Sequence, residues 1–270
     1  MKIDEKLFFI GSGNIAQSII GGLLEAKFVK AENIICDDIV KEKTLNFQQK
    51  FGISVADTKC NAAATADIIF FSVKPQDVVK VFGEIVNYIK KETIIISVVA
   101  GTTTKFIEDN IKKDVAVIRA MPNTPSLVRL GATALCKGRF ASDEQLSKAK
   151  LLFSSVGKTE ILPEESFDVI TALSGSGPAY IFYFCELMQN AAEKLGLSKE
   201  IAKTFAVQTV YGAGKMLDVA KESAEVLQKN VKSPNGTTEA AVKYFESQNL
   251  SNIVYKAMEN AMKRSKELSK

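Results

Sequence analysis

The chain has no histidine among its 270 residues, and no tryptophan. The first absence removes Ser-His-Asp and Cys-His catalysis, imidazole general bases and almost every catalytic zinc site. Cysteine is scarce too. Cys36, Cys60, Cys136 and Cys185 are widely separated, with no C-x-x-C pair, a pattern of small buried hydrophobes in a reducing compartment and not of a metal or disulfide framework. No metal is expected. Long apolar runs are missing as well. The runs present, such as Ile94–Ala100, fall far short of the roughly 20 residues that a membrane span needs. The start, MKIDEKLFFI, carries acids ahead of a short apolar run and does not read as a secretory signal. Finally, no block of like charge occurs. With 35 Lys+Arg against 31 Asp+Glu the net charge is only +4, which gives nucleic acid no footprint. The expectation is a cytoplasmic protein with neither a nucleic-acid nor a membrane partner.

What is present is ordered in two parts. Runs rich in β-branched and aromatic residues occur at Leu7–Ile10, Asn33–Cys36, Ile68–Val73, Thr93–Ala100, Val115–Arg119 and Ala132–Cys136. Helical periodicities lie between several of them, such as Ile15, Ile19, Ile20, Leu23 and Leu24, and later Val78, Val81, Phe82 and Ile85. Near-continuous apolar strands separated by helices predict a parallel sheet covered on both faces, an α/β doubly wound domain over residues 1–163. From Glu164 the pattern is all-helical to the end, residues 164–270. Helices are expected from Pro178 to Lys194, from Ser198 to about Leu217, over Ala224–Val231 and Thr238–Ser247, and from a Ser251 cap onward.

The helix after Pro178 is apolar nearly all round, with Tyr180, Ile181, Phe182, Tyr183, Phe184, Cys185, Leu187, Met188 and Ala191. Such a helix must be buried on all sides, and a small helical domain offers a thin core for that. A second subunit is expected to complete the burial, so a homodimer is predicted.

The first strand breaks into Gly11-Ser12-Gly13-Asn14-Ile15-Ala16, a G-x-G-x-x-A turn opening a helix. Gly11 permits the tight turn, Gly13 lets backbone approach a pyrophosphate, and Ala16 lets helix lie on strand. This position in a βαβ unit predicts dinucleotide binding. The second strand runs into Asp37-Asp38. An acid there accepts from ribose hydroxyls and repels a 2′-phosphate, so Asp37 favours NAD, although Lys41 and Lys43 stand close behind and both acids could simply cap the next helix.

Ligands in such sheets bind beyond the carboxyl ends of the strands. There stand Lys74-Pro75-Gln76, Ala100-Gly101-Thr102-Thr103 and Met121-Pro122-Asn123-Thr124-Pro125, rigid or small turns suited to walling a flat ring. In the helical part, Ser174-Gly175-Ser176-Gly177-Pro178 and Ser233-Pro234-Asn235-Gly236-Thr237-Thr238 each open a helix with small residues and hydroxyls. Either loop alone reads as ordinary capping. As a pair they suggest a pocket for a substrate anion.

GSGNIA at 11–16, VKPQ at 73–76, AG at 100–101, RAMPNTP at 119–125, GSGPAY at 175–180 and SPNGTT at 233–238 together resemble the pyrroline-5-carboxylate reductase family, over essentially the whole chain. The resemblance implies reduction of L-1-pyrroline-5-carboxylate to L-proline with NADPH or NADH, a Rossmann domain, and a helical domain interlocking in a dimer that often assembles into decamers. It implies cofactor contacts from Ile10, Gly11, Ser12, Gly13, Asn14, Ile15 and Ala16, from Asp37 at the ribose and Asn61 at the adenosine, and from Ser72, Val73, Lys74 and Pro75. Ala100, Gly101, Met121 and Asn123 would line the nicotinamide half, with Asn230 reaching in from the helical domain. Ser233, Gly236 and Thr237 would take the substrate carboxylate, from the partner subunit, and Thr238 the ring nitrogen. The chain departs from the family pattern at Asn235, which replaces a glycine, at Ile15, where methionine is usual, and at Asp37-Asp38, where many NADPH users have Ser or Thr. Two other readings compete. A β-hydroxy acid reductase would need a catalytic lysine on the helix after Gly177, which has none before Lys194. A nucleotide sensor would have no use for the second anion loop.

Overall fold

The computed structural model describes residues 3–269. The chain divides into two compact units, residues 1–175 with 261–270, and residues 176–260.

The first unit is built on an eight-stranded sheet in the order β3-β2-β1-β4-β5-β6-β7-β8. The strands are β1 (Leu7–Ile10), β2 (Ile34–Asp37), β3 (Ser54–Val55), β4 (Ile68–Phe71), β5 (Ile94–Ser97), β6 (Ala116–Met121), β7 (Gly131–Lys137) and β8 (Gly157–Ile161). Strands β1 to β6 pair in parallel; β7 runs antiparallel to β6, and β8 parallel to β7. The expected all-parallel sheet is therefore corrected at its last edge, where the short 3-10 turn Thr124–Val128 reverses the chain instead of a crossover helix.

Helices α1 (Asn14–Glu25), α2 (Lys41–Phe51), α3 (Lys59–Thr65), α4 (Val78–Ile85), α5 (Thr104–Ile111), α6 (Asp143–Ser154) and the single turn α7 (Phe167–Ile170) complete this unit. Alternation along the strands sends side chains to both faces. Phe9 and Phe70 stack, ring centres 4.4 Å apart, in the core under α1, α2 and α6. Phe71 stacks on Phe82 at 4.3 Å in the core under α3, α4 and α5, where Val78, Val81 and Ile85 are also buried.

The second unit holds α8 (Gly177–Lys194), α9 (Lys199–Val219), α10 (Ala224–Val231), α11 (Thr237–Ser247) and the first part of α12 (Leu250–Leu268). Ser198 and Ser223 cap α9 and α10 through hydrogen bonds from Ile201 and Val226 N–H. The expected cap at Ser251 is not one. Asn249, in the left-handed conformation at φ 56°, turns the chain, and Ser251 lies inside the first turn of α12. Within this unit Cys185, Ala202 and Ala206 are buried, whereas Phe182 remains 68% and Tyr183 62% exposed. The all-round apolar helix thus keeps a broad uncovered apolar face within one chain.

The last turns of α12 return to the first unit. Ser265 Oγ donates to Asp168 at 2.7 Å. A Cβ on Gly101 would lie 2.7 Å from the carbonyl oxygen of Leu268, so only glycine lets the helix end close on the loop after β5.

Candidate active site

The order of strands reverses between β1 and β4, and the carboxyl ends of these two strands stand side by side, with Ile10 opposite Phe71. The loop that follows β1 is held by three neighbours. Gly11 N–H donates to the Asp37 carbonyl at 2.8 Å. Ser72 Oγ donates to the carbonyls of Ile10 and Gly11, at 3.1 and 2.8 Å. Asp38 accepts the Ser12 N–H at 2.7 Å. Gly11 has φ 100°, and a Cβ there would meet the Ser72 carbonyl at 2.5 Å, so both the conformation and the approach demand glycine.

Gly13 differs. It is exposed, a Cβ on it would meet no protein atom within 4 Å, and as the residue before α1 it offers no side chain to cap the helix. The first-turn N–H groups therefore carry no side-chain cap, the arrangement that receives a phosphate. The Ser12 hydroxyl is buried beside the Cys36 thiol, and no contact it makes has hydrogen-bond geometry. An open glycine, uncapped N–H groups and a buried hydroxyl without a firm partner fit a dinucleotide's pyrophosphate.

The other expected cofactor residues of the first unit gather at this edge of the sheet. Asp37 ends β2; burial pushes its carboxyl up, and the Lys59 ammonium, 3.9 Å away, pulls it back. Asn61 lies in the first turn of α3, two positions after Lys59, its N–H held by the Thr58 hydroxyl. Ser72, Val73, Lys74 and Pro75 follow β4, with Lys74 and Pro75 exposed. Ala100 and Gly101 follow β5, and Met121 closes β6.

Asn123 is buried and engaged. Its Nδ2 donates to the Ser174 carbonyl and hydroxyl, both at 3.1 Å, and its Oδ1 accepts the Ala132 N–H at 2.9 Å. It therefore pins the start of β7 to the π-helical turn Thr171–Gly175. Beside it, Arg119 is buried, pairs with Glu164 at 3.0 Å and lies 4.6 Å over the Phe167 ring. Glu164 also accepts the N–H and hydroxyl of Thr104, at 2.8 and 2.7 Å.

In the second unit, Asn230 is exposed near the end of α10, and a tight turn leads to α11. Gly236 N–H donates to the Ser233 carbonyl at 3.0 Å. Asn235 takes φ 55° and donates its N–H to Glu239 at 2.7 Å. That bond, with Lys243 alongside, holds the Glu239 carboxyl below its ordinary range. Gly236 precedes α11 without a side-chain cap, so the first turn, carrying Thr237 and Thr238, presents uncapped N–H groups.

A family model described as pyrroline-5-carboxylate reductase dimerisation matches residues 164–268, and one described as NADP oxidoreductase, coenzyme F420-dependent, matches residues 6–101. The pyrroline-5-carboxylate reductase of Pseudomonas aeruginosa is 39% identical over 98% of this chain and 97% of its own. The chain belongs to the pyrroline-5-carboxylate reductase family. Among solved structures, the reductase of Coxiella burnetii is 38% identical with a TM-score of 0.94, covering 99% of this chain and all of its own. The Plasmodium falciparum enzyme, solved with NADP bound, is 27% identical with a TM-score of 0.88 over 100% of both chains.

Within the family, the departure at Asn235 has a physical account: φ 55° is a conformation that asparagine tolerates better than other side chains, so the turn keeps its shape without glycine. Ile15 packs partly buried against the core under α1. Several residues that shape the site escape sequence reasoning. Lys59 pairs with both Asp37 and Glu84, and Glu164 joins Arg119 to Thr104 across 45 and 60 positions. No spacing rule announces such contacts.

Proposed function

We propose that this chain reduces the cyclic imine L-1-pyrroline-5-carboxylate to L-proline with NADH or NADPH, the closing step of proline synthesis, in the cytoplasm. The observation that carries the reading is kinship over nearly the full length with reductases of that name. When bound, the dinucleotide supplies a hydride.

The chain's own residues do the rest. Ile10 to Ala16 receive the pyrophosphate on backbone N–H groups, Asp37 and Asn61 meet the adenosine half, and Ser72 to Pro75 with Ala100, Gly101 and Met121 wall the nicotinamide half. Asn123 acts by holding its loop, and Asn230 adds a contact from the helical unit. Ser233, Gly236 and Thr237 bind the substrate carboxylate at the positive end of α11, and Thr238 Oγ orients the ring nitrogen. A carbonyl would become an alkoxide and need an acid or an oxyanion clamp. A cyclic imine that enters protonated becomes a neutral amine, so positioning and exclusion of water suffice. That chemistry suits a chain without histidine.

The uncovered apolar face of α8 supports a homodimer, and the family resemblance extends the reading to dimers assembled into decamers. Light scattering on the pure protein measures this directly.

Turnover is tested by mixing pure protein, pyrroline-5-carboxylate and either reduced coenzyme, and following nicotinamide absorbance. Loss of absorbance with formation of proline is expected. Oxidation only with keto or β-hydroxy acids would replace the reading. Thr238→Ala should lower kcat/KM about tenfold or more; full activity would show that its hydroxyl is idle.

A further inference from the structure

The two acids after β2 do different work. Asp38 has both carboxylate oxygens engaged, one by Ser12 N–H at 2.7 Å and the other by Val40 N–H at 2.9 Å. Asp37 alone remains to face a ribose, and it is not alone electrostatically. Lys59, the first residue of α3, lies between the Asp37 carboxylate at 3.9 Å and the Glu84 carboxylate of α4, which it binds directly. The Asp37 and Lys59 side chains are partly shielded, with exposures of 21% and 20%, while Glu84 reaches in from the exposed rim at 38%. The trio sums to one negative charge, and water screens the Asp37–Lys59 pair less than it screens a fully exposed one. Lys41 and Lys43 are exposed on α2, and among the described residues neither makes an ion pair, so solvent and salt screen them.

We propose that the Asp37–Lys59–Glu84 trio sets coenzyme preference, with Glu84 withholding the Lys59 ammonium from a 2′-phosphate and Asp37 receiving a free 2′-hydroxyl, so that NADH is preferred to NADPH. This rests on the dinucleotide site of the reading above but not on its substrate. Lys59 and Glu84 are positioning residues here. An acid at the end of β2 favours the unphosphorylated ribose, and the lysine beside it limits the repulsion of a phosphate without cancelling it, because the glutamate takes its charge.

The test is titration of each reduced coenzyme into substrate-free protein by nicotinamide fluorescence, with kcat/KM for both coenzymes alongside. Wild-type protein should bind NADH more tightly than NADPH. Glu84→Gln, which keeps shape while removing the competing charge, should move the affinity ratio about tenfold toward NADPH. Lys59→Met should move it about tenfold the other way, and Lys59→Arg should restore the wild-type ratio. Ratios within twofold of wild type in both Glu84→Gln and Lys59→Met would overturn the proposal, as would a wild-type preference for NADPH. If Lys59→Met does not fold, Glu84→Gln decides alone. Ratios that move as stated in a protein inactive on the imine would leave the trio standing and remove the assigned reaction. Normal turnover with unmoved ratios would do the reverse.

Discussion

One carboxylate oxygen of Asp38 accepts the backbone N–H of Ser12 at 2.7 Å, from 26 positions away, and so ties the end of β2 to the turn after β1. Replacing Asp38 by alanine leaves a buried donor unpaired. The expected cost is about 1–3 kcal/mol of stability, with weakened coenzyme binding because the turn loosens. Urea unfolding and coenzyme titration of Asp38→Ala check both; a protein as stable as wild type would show the clamp to be dispensable.

The two glycines of the fingerprint should separate cleanly. Gly11→Ala combines a left-handed backbone with a clash against Ser72, for a loss of about 2–4 kcal/mol. Gly13→Ala meets nothing within 4 Å, so its melting temperature should stay within a degree or two of wild type while affinity for both coenzymes falls severalfold. Thermal melts with and without coenzyme distinguish the two outcomes.

Asn235 offers a test in the opposite direction. At φ 55° its replacement by glycine should be neutral in stability and in KM for the imine, whereas Asn235→Val should cost about 1–2 kcal/mol and raise that KM. Steady-state kinetics on the pair shows whether the backbone conformation is what matters there.

Burial pushes the Cys36 thiol up to about 11 and the Cys136 thiol up to about 12. Both should resist thiol reagents at pH 8 in the native protein and react on unfolding. A thiol whose native pKa is raised adds stability below its unfolded value and loses it as pH rises. Between about pH 9 and 11 the unfolded chain releases a proton that native Cys36 retains, so stability should fall there. Unfolding curves of wild type and Cys36→Ala across that range should converge as the pH climbs; parallel curves would contradict the burial argument.

Much of the first unit can be read from the sequence because its strands are continuous apolar runs and its helices keep their period. β3, two residues long, and β8, GKTEI, carry no such signal; edge strands alternate with solvent and owe their place to a neighbour's hydrogen bonds. The glycine turn is legible since its chemistry is local. Which of two adjacent acids points at that turn is not, because Asp37 and Asp38 are sorted only by where α3 and the Ser12 backbone arrive in three dimensions. For the same reason nothing in the sequence marks Arg119 and Glu164 as partners, and Ser251 looked like a cap because the left-handed Asn249 that turns the chain has no distinctive neighbours.

The return of α12 bears on biosynthesis. Its closing turns bond to Asp168 and seat against Gly101, so the sheet-bearing unit borrows its final piece from residues 261–270. A nascent chain emerging from the ribosome cannot finish that unit when its last strand appears; completion waits until the whole helical excursion and the segment that follows it have emerged as well.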